Sequence, residues 1–277
     1  MSVIESVFLG LIQGLTEFLP ISSSGHLVIF QTILNIDTNS ADLMFDSLLH
    51  IGTLFAVFIA FRLQIKELVT EIFSSTKQIL TGKFQCKNIN PKQKTIFSLF
   101  ISLIPLLVIF PIKDFIEKAY SSIITVGIAL LTTSILLFLC DKTVEGKTFE
   151  ENITIKQAFI IGIAQALAII PGLSRSGTTI TIGIMCGFNR KLAVQYSFLL
   201  SIPTIIAGSL LNILEAISEG AFDGSLLITY SAGMTAAAIS GYASLKLLQY
   251  LLKTKKFIIF SIYCLVVGIS SIIYGLA

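Results

Sequence analysis

Leu19-Pro20-Ile21-Ser22-Ser23-Ser24-Gly25-His26 interrupts one apolar run, and Pro171-Gly172-Leu173-Ser174-Arg175-Ser176-Gly177-Thr178-Thr179 interrupts another. Proline removes a backbone donor and glycine loosens a helix, so neither stretch supports a straight spanning helix. Broken backbone at membrane depth survives only where protein or a water-filled cavity surrounds it. The segments 1–34 and 154–186 therefore read as re-entrant helical hairpins, each turning back at its polar cluster.

The surroundings are those of a membrane protein. Of 277 residues, 54% are hydrophobic and 13% charged, and the mean hydropathy is +0.89. A soluble domain carries about 25% charged residues. Six further runs, at about 45–64, 95–112, 120–140, 192–214, 225–250 and 257–276, are long enough to cross an apolar core of about 30 Å. The expected fold is an all-α polytopic membrane protein with one membrane domain over residues 1–277. Glu5 stands where a secretory signal would carry basic residues, so no cleaved signal is expected. Cys86, Cys140, Cys186 and Cys264 have neither metal nor redox spacing and are expected to be unpaired.

The two interrupted segments align without gaps at an offset of 152: Gly10, Gln13, Leu15, Ser22, Ser24 and Gly25 fall on Gly162, Gln165, Leu167, Ser174, Ser176 and Gly177. Leu48-Leu49-His50-Ile51-Gly52-Thr53 falls on Leu199-Leu200-Ser201-Ile202-Pro203-Thr204 at an offset of 151. Each half, 1–141 and 154–277, is then one hairpin plus three spans. Three is odd, so the halves have opposite topology, the plan in which broken helices meet near the midplane.

Charge orients the bundle. With the N-terminus on one side, the opposite side collects Arg62, Lys66, Lys77, Lys83, Lys87, Lys92, Lys94, Lys142, Lys147, Lys156, Arg190, Lys191, Lys253, Lys255 and Lys256. The N-terminal side receives only Lys113 and Lys118, with Asp37, Asp42, Asp114, Glu117, Glu215, Glu219 and Asp223. The positive-inside rule makes the basic side cytoplasmic and puts both termini outside.

Chemistry concentrates at the breaks. Gln13 and Glu17 are four apart and share a helix face. A carboxylate at membrane depth is a functional candidate by default. Ser22, Ser23, Ser24 and Gly25 can cap the returning half-helix, whose free N–H groups form an anion site. His26 follows within one turn, whereas His50 has no such company and reads as structural. Arg175, inside the second break, needs an anionic partner, and its planar fork suits a phosphate. An acid, a histidine, an arginine and hydroxyls at two opposed helix ends suit phosphoryl transfer, where positioning and charge neutralisation dominate.

At these residues the chain resembles the undecaprenyl-pyrophosphate phosphatase family of bacitracin-resistance membrane phosphatases. The matching segments are Gln13–His26, Pro171–Thr178, His50-Ile51-Gly52-Thr53-Leu54 and Tyr196-Ser197-Phe198-Leu199-Leu200-Ser201-Ile202-Pro203. The resemblance implies hydrolysis of undecaprenyl diphosphate to the monophosphate carrier at the outer face of a bacterial plasma membrane. It also implies a divalent cation, Mg²⁺ or Ca²⁺, and roles in cell-wall synthesis and bacitracin resistance. Many members have Glu where this chain has Gln13, which leaves Glu17, with Gln13 as helper, to anchor the metal.

The expected site follows. Arg175, Ser174, Ser176, Thr178, Ser24 and Gly25 bind phosphate, while Glu17 and Gln13 hold the metal. His26 with Ser22 or Ser23 supplies or activates the nucleophile; phosphohistidine, phosphoserine and direct water attack all stay open. The expected partners are a polyprenyl diphosphate and membrane lipids, with no nucleic acid, and a homodimer is allowed. A secondary transporter or lipid flippase is the alternative, because inverted repeats and broken helices are also transporter architecture.

Overall fold

The computed structural model describes residues 1–34, 40–82, 89–112, 115–116, 122–144, 146–220, 224–251 and 257–277, with backbone only for 40–43. Asp37, Lys83, Cys86, Lys87, Lys113, Asp114, Glu117, Lys118, Asp223, Lys253, Lys255 and Lys256 lie outside them.

Helix α1 (Val3–Phe18) opens on a capping box, Ser2 accepting from the Glu5 amide while Glu5 accepts from the Ser2 amide. It stops because Pro20 forces Leu19 into extended backbone. Helix α2 (Ser23–Ile33) starts on Ser22, a non-glycine at positive φ (71°). Helix α3 (Ser40–Ala60) turns by 87° at Phe61 into α4 (Arg62–Leu80). Helix α5 (Pro91–Ile109) follows an Asn90–Gln93 capping box, and α6 (Ile123–Lys142) starts on Ser122. Helix α7 (Ile155–Leu167) follows a Thr154–Gln157 box and ends ahead of Pro171 and Gly172, the latter at φ 92°. Then come α8 (Arg175–Met185), α9 (Arg190–Ser218), α10 (Leu227–Leu251) and α11 (Ile258–Leu276). No strand occurs among the described residues, only an isolated bridge between Thr148 and Phe188.

Two expectations need correction. The first span ends at Ala60 rather than near 64, and the basic residues Arg62, Lys66 and Lys77 after it lie on α4, an amphipathic helix with no buried residue. The 225–250 span is helical, but α10 is less apolar than the spanning helices α5, α6, α9 and α11. The reason is packing. A Cβ on Gly10 would lie 2.3 Å from the Gly233 carbonyl oxygen, one on Gly14 would lie 2.0 Å from Ser240 Oγ, and one on Gly52 would lie 2.4 Å from the Met234 oxygen. Ser244 Oγ donates to the Gly14 carbonyl at 2.7 Å. Small residues let membrane helices touch backbone to backbone, and they lower hydropathy as they do so.

The contacts fix helix directions. Along α1 and α10, Ser6 meets Thr229, Gly10 meets Gly233 and Gly14 meets Ser240, so the two are parallel. Along α3 and α10, Phe45 meets Tyr230 and Gly52 meets Met234, again in parallel. In the other half, Lys94 meets Glu151 and Ser102 meets Ala158, so α7 is parallel to α5. Helix α9 runs against α3, with Phe61 on Phe198 at one end and Leu48 clustered with Ile213 at the other. Ser102 on Tyr196, with Leu106 and Thr204 further along each helix lining one cleft, makes α5 parallel to α9. Hence α1 and α7 enter the bundle from opposite ends. Helices α6 and α11 close the ring antiparallel, Gly127 on Gly268 and Ser134 on Ser261. Outward on α11, Ile259, Ile262, Val266, Ile269 and Ile273 are exposed, an apolar face that lipid covers.

Candidate active site

Each break is built alike. Ser22 Oγ accepts from the Gly25 amide at 3.3 Å, and Ser174 Oγ accepts from the Gly177 amide at 3.0 Å. Ser22 also reaches Ser24 Oγ at 3.4 Å, and Ser174 reaches Ser176 Oγ at 3.2 Å. The N-terminal first turns of α2 and α8, whose amides have no acceptor within their own helix, thus sit at the two breaks. The breaks touch: a Cβ on Gly25 would lie 3.0 Å from Gly172 Cα, and Ser176 Oγ donates to the Leu19 carbonyl at 3.3 Å. Glycine is required at 172 by its positive φ and by the Val126 carbonyl, 2.6 Å from any Cβ there.

Across this junction Arg175 Nη2 donates to Glu17 Oε1. Glu17 Oε2 accepts from Ser23 Oγ at 2.6 Å and from Gln13 Nε2 at 2.9 Å, and His50 Nε2 lies 3.7 Å away. The Glu17 side chain is 3% exposed and Arg175 19%. A buried carboxylate must be compensated, and this one is held by one guanidinium and two hydrogen bonds. Beside it opens a cleft of about 270 Å³. Its wall carries Glu17, Ser22, Ser23, Ser24, Ser174, Arg175 and Ser176 from the breaks, with Ser47 and His50 from α3, Gln165 from α7, and Thr204, Ser209 and Asn212 from α9.

The structure thus gathers most of the expected residues and leaves four off the wall. Gln13 stands behind Glu17, with its Oε1 buried and unpartnered among the described residues. Gly25 is taken up in the contact between the breaks. Thr178 is buried, its hydroxyl also unpartnered among the described residues, and its amide bonds the Ser174 carbonyl inside α8. His26, expected to supply or activate the nucleophile, is 3% exposed and faces α11 instead. Its Nδ1 donates to the Ser22 carbonyl at 2.7 Å, which leaves Nε2 to accept from Tyr263 Oη at 2.7 Å, and the rings stack. It braces the break. His50, read as structural from sequence, is on the wall beside Glu17. Its signal was spacing: Ser47 and His50 are three apart in an apolar helix, on one face.

No group of three or more His, Cys, Asp or Glu side chains converges among the described residues. An all-protein metal cage is therefore absent there. Glu17 Oε2 and the Gln13 carbonyl, which has no partner among the described residues, are the oxygen donors that could hold a hard cation. That suits a cation which keeps few protein ligands and takes the rest from phosphate oxygens.

Opposed half-helices, a buried acid–arginine pair and twin serine caps now stand together, and a family model for the bacitracin resistance protein BacA matches residues 6–270. The chain belongs to the BacA family. It is 39% identical over 274 residues to an undecaprenyl-diphosphatase of Halothermothrix orenii, covering 99% of this chain and 98% of that one. It is 38% identical over 278 residues to an undecaprenyl-diphosphatase of Methanosphaera stadtmanae, with coverages of 99% and 98%. A third, from Alkaliphilus metalliredigens, is 36% identical over 277 residues and the full length of both chains. Within this BacA-family chain, Cys140, Cys186 and Cys264 are free thiols.

Proposed function

We propose that this BacA-family protein hydrolyses undecaprenyl diphosphate to undecaprenyl phosphate and inorganic phosphate, returning the carrier to cell-wall synthesis and thereby giving bacitracin resistance. The observation that carries the mechanism is the hydrogen bond from Ser23 Oγ to Glu17 Oε2 at 2.6 Å, with Arg175 on the other carboxylate oxygen.

Ser23 begins α2, at the positive end of its dipole, where a phosphate is favoured. Glu17 takes the Ser23 proton as Oγ attacks the terminal phosphorus, and the bond from that phosphorus to the bridging oxygen breaks. Undecaprenyl phosphate leaves with the electron pair. Glu17 passes that proton to the departing phosphate. Water then attacks the phosphoserine, Glu17 takes the water proton and returns it to Ser23 Oγ as the P–Oγ bond breaks, and inorganic phosphate departs with Ser23 restored. Arg175 shifts from Glu17 onto the phosphoryl oxygens when substrate binds, since its fork pairs bidentately. Ser24, Ser174 and Ser176 line the same wall and donate to phosphate oxygens. Glu17, with Gln13, would hold Mg²⁺ or Ca²⁺, which would supply charge neutralisation on the diphosphate.

The site faces outward in this reading. The wall residues of α3 come from its first half, those of α9 from its second half, and Leu106 from the last turn of α5. All lie toward the end of the bundle where α1 begins, the side poor in lysine and arginine. This agrees with a plasma-membrane protein whose termini are outside and whose substrate comes from the outer leaflet. A transporter would need the charge pair but not the primed serine.

The test is phosphate release by purified protein given a polyprenyl diphosphate, with and without EDTA. Ser23→Ala is expected to lose about 10³-fold or more in kcat, Ser24→Ala about tenfold, and EDTA to abolish turnover. Full activity of Ser23→Ala would overturn the serine mechanism.

A further inference from the structure

Gln13 and Gln165 hold equivalent places in the two repeats, yet their amides meet different fates. Four residues after Gln13 stands Glu17, which takes its Nε2 at 2.9 Å. Four residues after Gln165 stands Ile169, which offers nothing. Gln165 is 2% exposed, and neither its Nε2 nor its Oε1 has a hydrogen-bond partner among the described residues. A buried amide without partners is destabilising, so its retention points to a ligand. The side chain lies on the wall of the cleft that Arg175 and Glu17 share.

Its neighbours say which part of the ligand it meets. The reacting phosphorus must lie at Ser23 Oγ, on the α2 side. Gln165 shares the wall with Ala168 and Ile169, which follow it in the chain, and with Leu106 of α5, against which α7 packs. That is where a prenyl chain would leave the diphosphate.

We infer that Gln165 is a binding residue for the phosphate that stays esterified to the prenyl chain. Its Nε2 donates to a non-bridging oxygen of that phosphate, in the substrate and in the monophosphate product alike. The inference rests on the diphosphatase reading above and adds a second anion contact to it, distinct from the one made by Arg175.

The experiment measures binding apart from turnover. Full-length protein in detergent is titrated with a non-hydrolysable prenyl methylenediphosphonate and, separately, with prenyl monophosphate. Gln165→Leu should weaken both by about tenfold or more, the scale of one hydrogen bond to a charged group. Its kcat at saturation should change less than about threefold, and its Tm should hold or rise, because an unpaired buried amide has gone. Gln165→Glu keeps the shape but sets a carboxylate against the phosphate, and should weaken both ligands further, by about a hundredfold. Inhibition by inorganic phosphate should be unchanged in both variants.

Wild-type affinity for the monophosphate in Gln165→Leu, with turnover intact, overturns the assignment and leaves the diphosphatase reading standing. A Tm that falls while affinity is unchanged marks a structural amide and also overturns it. A wild-type protein that neither binds the diphosphonate nor releases phosphate removes both together.

Discussion

Arg175 and Glu17 come from helices in different halves of the chain and meet at the floor of one cleft. Arginine has a flat fork that matches two phosphate oxygens, whereas lysine is a point charge on a flexible stem. Arg175→Lys should therefore lose nearly as much as Arg175→Ala, each at least about 100-fold in kcat/KM in the phosphate-release assay. Near-normal turnover in the lysine variant would mean that charge alone suffices. Ser22 shows the same concern with placement. Its φ of 71° is strained for a non-glycine, at about 1–2 kcal/mol. The strain is borne because its Oγ caps Gly25 and its carbonyl takes His26 Nδ1. The second break meets its need for positive φ at Gly172 instead, and Ser174 stays relaxed at φ −64°.

Helix α10 is the strut against which the first hairpin and α3 both lean, and it does so through glycine, alanine and serine. A methyl on Gly14 meets Ser240 Oγ, the Ala237 oxygen and the Gly241 nitrogen at 2.0, 2.5 and 2.6 Å. Two of these are backbone atoms, so the helices must part, which displaces Glu17, three residues further along α1. Gly14→Ala should lower Tm by several degrees, on the order of 1–3 kcal/mol, and lose activity in step. Gly208→Ala, with open space around the added methyl, should leave Tm within about 1 °C as the control. Equal melting of the two would show that the seam is looser than drawn. Helix α4 behaves differently. Glu67 pairs with Lys92 at 2.8 Å and Glu71 accepts from Asn90 at 3.0 Å, so its acidic side is turned to the start of α5. Val69, Ile72, Phe73, Ile79 and Leu80 stay exposed, the pattern of a helix lying at the membrane surface.

At the scale of the molecule, the two halves enter from opposite ends and the cleft opens at one of them. Accessibility of single cysteines in a background lacking the four native ones tests this. Leu34→Cys, at the exposed end of α2, should react with a membrane-impermeant maleimide in intact cells whichever way the cleft opens. Ser24→Cys, on the cleft wall, should react from outside more slowly, by about tenfold given its partial burial, and diphosphate with a divalent cation should protect it. Labelling of Leu34→Cys only in inverted vesicles would reverse the threading. Labelling of Ser24→Cys only from inside would keep the threading and turn the site around.

Residue types alone settled the class of protein, the two breaks and the need of Arg175 for an anionic partner, because each is forced by local physics; the repeat was legible as matched spacing. Proline and glycine cannot continue a helix, and a charge at membrane depth must find a partner. The direction in which a side chain leaves its helix is not local. His26 looked reactive beside Glu17 in the chain, but packing stacks it on Tyr263, 237 residues away, while His50 is carried to the carboxylate by α3. Helix α4 is not legible in the same way, because its charges mark the basic side whether it is loop or helix, and only the turn at Phe61 lays it out as an amphipathic helix. Gln165 shows both sides: the repeat marked its position, and only the folded structure revealed that its amide has no protein partner among the described residues, because hydrogen-bond satisfaction depends on neighbours far away in sequence.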